Sequence, residues 1–174
     1  LERLDRLIVH AEQVNRMLGA PEKTTVIPMG IGAPMGTTGT GTPDAETQAM
    51  RRQLGLWHRR PILGSLGFIR PQKGYQELLV AAKILRTAYP DLAVLLVAPT
   101  HAGRAWAVDR LQAFVESIGM ADRVVIVSKW QSEDEVLHTL QAANLLILNY
   151  VANPIGGGFS AAAKTCFRVR RPLI

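Results

Sequence analysis

Six short apolar runs punctuate the chain: LIVH (7–10), TTVIP (24–28), PILGSLG (61–67), LAVLLVA (92–98), RVVIV (123–127) and NLLILN (144–149). A seventh, PLI, closes it at 172–174. Their apolarity is continuous rather than alternating, which predicts strands covered on both faces, as in a parallel sheet. Longer amphipathic stretches separate them. Tyr75, Leu78, Leu79, Ala82, Leu85 and Tyr89 recur at helical spacing until Pro90, and Val108, Leu111, Val115 and Ile118 do so until Gly119. Ser132 followed by Glu135 is a capping box that opens a third helix over Val136, Leu137 and Leu140. The alternation of strand and helix predicts βαβ units: an α/β fold with a Rossmann-like parallel sheet flanked by helices. The Gly/Thr/Pro-rich stretch 32–44 reads as a flexible loop.

Composition narrows the function classes. At 174 residues the chain suits one domain, or one half of a two-domain enzyme. Its 48% hydrophobic and 20% charged residues exclude disordered and fibrous classes. Twenty Lys and Arg against fourteen Asp and Glu give a net charge of +6, which favours an anionic partner: a phosphate, a nucleotide, a nucleic acid or an acidic membrane face. The single cysteine, Cys166, excludes an intramolecular disulfide and a cysteine metal cluster, and suits a reducing, cytoplasmic setting. No run reaches 18 apolar residues, so no segment reads as a transmembrane helix. The start at LERLDRL and the stop at RPLI read as a fragment of something longer, with no signal peptide in view.

In parallel sheets, ligands bind beyond the carboxyl ends of the strands. Three loops there carry unusual residues. In GSLGFIRPQKGYQELL, Gly67, Arg70, Lys73 and Gly74 lie between a strand and a helix. Cations beside the N–H groups of a helix start form a phosphate-binding arrangement, and a glycine lets a ligand approach the backbone. A solvated basic loop is the alternative; a Walker loop is excluded, because GK[ST] is absent. In NPIGGGFSAAAKT, Gly156, Gly157 and Gly158 precede Ser160 and a helix, a second candidate anion cradle or simply a capped glycine loop. In VSKWQSEDEV, Lys129 and Trp130 offer a cation and an indole on which a nucleobase could stack, or which could simply pack. His101 is the one histidine placed for catalysis or sugar contact, and the four histidines lack metal-ligand spacing, so no metal site is expected. The acidic turn Glu133, Asp134, Glu135 serves the helix dipole, and Cys166 reads as packing.

Taken in order, VIPMGI, GFIRPQKG with its helix, AVLLVAP, RVVIVSKWQSEDEVLHTLQAANLLILN and GGGFSAAAKTCFRVRRPLI resemble the C-terminal, donor-binding domain of GT-B glycosyltransferases, close to glycosyltransferase family 4 (group 1). The resemblance implies that residues 1–174 form a single nucleotide-sugar-binding domain, truncated at its C-terminus and lacking the N-terminal domain that holds the acceptor. It implies transfer of a hexosyl unit from a nucleoside diphosphate sugar, most often with retention, by the full-length protein and not by this half alone. Lys73 would meet the pyrophosphate, Lys129 and Trp130 the base, and the 156–158 glycines with Ser160 the phosphates or sugar. Cations and helix N-termini can then carry the leaving diphosphate with no cofactor or metal. The implied partners are the nucleotide sugar and the acceptor domain; separately, the net charge of +6 leaves room for peripheral association at the inner face of a membrane.

Two departures keep other readings open. Phe68 stands where the family often has an arginine, leaving Arg70 to substitute, and the family's E-x7-E glutamates align with Gly157 and Thr165. A non-catalytic GT-B-like module, binding a nucleotide or a partner without the donor-sugar carboxylates, is the first rival. A nucleotide-sugar epimerase lacks placed acid and base residues. Nucleic-acid binding would need a basic face interleaved with aromatics, and Trp130 alone fits, so no nucleic-acid partner is expected.

Overall fold

A computed structural model describes residues 5–35, 44–101, 103–151 and 160–174. The chain runs β1 (Leu7–Val9), α1 (Glu12–Leu18), β2 (Thr24–Val26), α2 (Ala45–Gln53), β3 (Ile62–Leu66), α3 (Tyr75–Leu85) and β4 (Ala93–Val97). It continues through α4 (Trp106–Ser117), β5 (Val124–Val127), α5 (Glu133–Gln141), β6 (Leu145–Leu146) and α6 (Ala161–Arg168). All the strand pairs are parallel.

The main sheet has the order β5-β4-β3-β6. The chain steps from β3 through β4 to β5 by way of α3 and α4, then α5 carries it back across the sheet to β6 on the far side of β3. That reversal places a crevice at the carboxyl end of β3. All five residues of both β3 and β4 are buried. Successive side chains of a strand point to opposite faces, and here both faces are covered. Leu95 and Val97 join Leu137, Leu140 and Cys166 under α5 and α6, whereas Val94 and Leu96 join Leu79, Leu111 and Val115 under α3 and α4. Leu173 forms a parallel bridge with Leu146, so the expected seventh strand is reduced to a single bridge.

The N-terminal strands depart from the expected single sheet. β1 and β2 pair with each other in a separate two-stranded sheet, and among the described residues no ladder joins them to the other four. Two helices, α1 and α2, were also not foreseen. Helix α1 buries no residue, and α2 (AETQAMRRQ) buries Thr47 and Arg51 and packs Met50 against the core. Arg51 is held in the core by donating from Nε to the Ala142 carbonyl at 2.9 Å. Among the described residues no helix is long and apolar enough to cross a membrane.

Candidate functional site

The carboxyl ends of β3 and β4 and the segment after β5 open into a cavity of about 420 Å3. Gly67, Phe68 and Lys73 line it from the loop after β3, Lys129, Trp130 and Glu133 from the segment entering α5, and Ser160 and Thr165 from α6. The first and third sequence loops therefore converge on one space with the start of α6. Gly156, Gly157 and Gly158 lie outside the described residues.

Local chemistry fixes Lys73. A 3-10 turn, Pro71–Lys73, carries it, with Pro fitted to the turn start, and Gly74 ends the turn at φ 59°. A side chain at Gly74 would collide with Asn149, whose Nδ2 donates to the Gly74 carbonyl at 2.5 Å. The loop after β3 is thus clamped to the segment after β6. Gly67 has φ 146°, and a Cβ there would lie 2.6 Å from Cε of Lys73, so glycine is what lets the lysine stem pass across the strand end. Tyr75 reinforces that end by donating from its hydroxyl to the Gly67 carbonyl at 2.5 Å, and burial raises its phenol above the usual range.

Lys73 Nζ donates to the Tyr150 hydroxyl at 2.6 Å and sits 4.2 Å from that ring's centroid. The same hydroxyl bonds Ser160 Oγ. Ser160 also caps α6, accepting from the Ala163 N–H at 3.4 Å. Lys73, Tyr150 and Ser160 therefore form one polar chain beside a helix N-terminus, where negative charge is favoured. Among the described residues no carboxylate pairs with Lys73.

An aromatic ledge lies alongside. The Phe68 ring stacks on His101 at 4.1 Å and 15°, and lies 6.2 Å from the Trp130 ring. Trp130 is 70% exposed, so its indole is not committed to the core. Arg70 Nη2 donates to His101 Nε2 at 2.8 Å. Arg70 and His101 do not line the cavity with Lys73. Arg70 lines a neighbouring hollow instead, and His101 supports Phe68 from behind. The substitution of Arg70 for a cation at position 68 is therefore not what this arrangement provides.

Three contributors were not read as site residues from the sequence. Phe68 stood there only as a departure, yet it forms part of the cavity wall. Tyr150, directly after the run NLLILN, has no spacing in the sequence that marks it as a site residue. Glu133, assigned to the helix dipole, also lines the cavity and is ion-paired with Arg168 of α6. Arg168 in turn donates to the Ala33 carbonyl at 2.8 Å, tying the segment before α2 to α6. Cys166 is fully buried, and its thiol is pushed up to about 12 by burial, partly offset by the charge of Lys73, as a packing residue should be. Among the described residues no group of three His, Cys, Asp or Glu side chains is placed to hold a metal ion.

No family model matches the chain. It is 28% identical over 153 residues to the D-inositol 3-phosphate glycosyltransferase of Corynebacterium jeikeium, a match covering 84% of this chain and 36% of that protein. The structure of Anabaena HepE with UDP-glucose superposes with a TM-score of 0.69 at 19% identity, over 97% of this chain and 44% of that one. Sucrose-phosphate synthase from Thermosynechococcus elongatus does so with a TM-score of 0.66 at 23% identity, over 99% and 41%. The chain thus spans less than half the length of these proteins. The resemblance read from the sequence holds at the level of fold: the chain has the α/β architecture of one half of a GT-B glycosyltransferase.

Proposed function

We propose that the cavity holds a nucleoside diphosphate sugar, and that residues 1–174 are the donor-binding part of a longer glycosyltransferase that moves a hexosyl unit to an acceptor. The observation that carries this reading is that Lys73 and Ser160, bridged by the Tyr150 hydroxyl, line one cavity together with Phe68 and Trp130. A nucleoside diphosphate has the matching polarity: a flat base at one end and a doubly charged bridge at the other. Lys73 would displace its contact with Tyr150 to meet the diphosphate, Ser160 and the first N–H groups of α6 would take a second phosphate, and Trp130 with Lys129 would flank the base. As the bond from the anomeric carbon to the diphosphate oxygen breaks, charge grows on the leaving oxygen, where the Lys73 ammonium stabilises it. The match to a glycosyltransferase and the fold shared with HepE, a protein solved with UDP-glucose, support the same donor class. A site for this part of the protein near the inner face of a membrane draws support only from the net charge of +6.

A second reading, a nucleotide-binding module without transferase activity, is favoured by one observation. Thr165 lines the cavity where the family resemblance places a carboxylate, and the cavity's own carboxylate, Glu133, is engaged by Arg168. Incubating the full-length protein with UDP-glucose and GDP-mannose and following release of the free diphosphate separates the two. Steady release above the uncatalysed rate, lost in Lys73→Ala, supports the transferase; tight nucleotide binding with no release supports the module.

A further inference from the structure

Next to the donor cavity lies a second hollow of about 290 Å3, between the first turns of α3 and α4. Trp106 and Arg110 of α4 line it together, four residues apart and so on one face of the helix. Gln76 and Glu77 of α3 line it too, as does Arg70 from the loop before that helix. Ala107 and Leu111 of α4 are buried, but Trp106 is 54% exposed, so its indole is not needed to cover the core. Among the described residues Arg110 pairs with no carboxylate.

These groups have a specific chemistry. An indole face is a flat apolar platform suited to the C–H face of a sugar ring, while Gln76 and Glu77 can bond ring hydroxyls. Two guanidinium groups against one carboxylate leave net positive charge, and Arg110 presents the planar fork that grips a phosphate or carboxylate through two hydrogen bonds, while Nη2 of Arg70 is engaged by His101. The hollow is also joined to the donor cavity. Arg70 donates to His101, and His101 stacks on Phe68, which lines that cavity. The two hollows have no lining residue in common, so the link is a side-chain relay and not a shared opening.

We infer that this hollow is a separate binding site for a saccharide carrying a phosphate or carboxylate group. Calorimetric titration of the chain with glucose 6-phosphate, glucuronate, glucose and inorganic phosphate tests it, with UDP titrated in parallel. Saturable binding of glucose 6-phosphate or glucuronate is expected, weakened at least about tenfold by Arg110→Ala and by Trp106→Ala. The stronger of the two probes identifies the anionic group. UDP binding is expected unchanged in both variants, and Arg110→Lys, which keeps the charge without the fork, should lose less. Three results would overturn the inference: no binding of either anionic sugar, binding that survives Arg110→Ala in full, or inorganic phosphate binding as tightly as glucose 6-phosphate. Loss of UDP binding alone would count against the donor reading and leave this one standing.

Discussion

Gly67 and Lys73 depend on each other. A Cβ at position 67 would push aside the far end of the Lys73 side chain, and the φ of 146° is one that side-chain-bearing residues rarely adopt. Gly67→Ala is expected to cost about 1–3 kcal/mol of stability from backbone strain. It should also weaken UDP binding, as checked by urea unfolding and titration of the same sample; an alanine variant as stable as the parent would contradict the geometry. Cys166 gives a pH prediction. Its thiol is raised in the folded chain to about 12 from an ordinary 9.0 by burial, so the folded state holds that proton more tightly than the unfolded one. The resulting contribution to stability is complete below about pH 9 and is lost as pH rises towards 12. Urea midpoints measured from pH 8 to 11 should fall less steeply for Cys166→Ala than for the parent. At this scale the sequence showed Lys73, Lys129, Trp130 and Ser160 because cations, indoles and caps after strands have recognisable spacing. It did not show Tyr150 or the diversion of Arg70 towards His101, because both depend on contacts between segments more than 30 residues apart.

Helices separate into those whose start and buried face are written in the sequence and those that are not. Ser132 and Glu135 were legible as a cap, and the structure contains the full reciprocal box, with Glu135 accepting from the Ser132 N–H at 2.7 Å. Those bonds, the backbone one foremost, hold the Glu135 carboxyl below its usual range. Ser132→Ala is expected to lower stability by about 1 kcal/mol, read as a drop in the thermal midpoint. Helix α2 was hidden because its most buried long side chain is a guanidinium. Arg51 is 2% exposed and is pushed down to about 10 by burial first and by the charges of Arg60 and Arg171 after it. Removing it by Arg51→Ala leaves the Ala142 carbonyl without its donor and should cost about 1–3 kcal/mol. No loss on chemical denaturation would show that the arginine is only tolerated there.

The whole molecule combines a main sheet that the hydrophobic pattern described well with an N-terminal pair that it placed in the wrong company. Apolar runs report that a strand exists, not which neighbour it joins. In β3 and β4 the inference from continuous apolarity to cover on both faces held. In β1 it failed: Ile8 is 58% exposed, with no element of the described residues laid over it. The partition of the α/β layers, with α3 and α4 on one face and α5 and α6 on the other, gives each hollow its own pair of helices. A net charge of +6 should also make binding of any diphosphate weaken as salt rises.

The central claim is that the cavity on Lys73 takes the diphosphate of a nucleotide sugar. Calorimetric titration of the folded chain with UDP, GDP and their sugars, beside Lys73→Ala, tests it most directly. The account expects saturable binding of at least one nucleotide, reduced ten- to a hundredfold or roughly 1.5–3 kcal/mol in the variant. Absence of binding by any of them in a chain shown to be folded, or full affinity retained by Lys73→Ala, would contradict it.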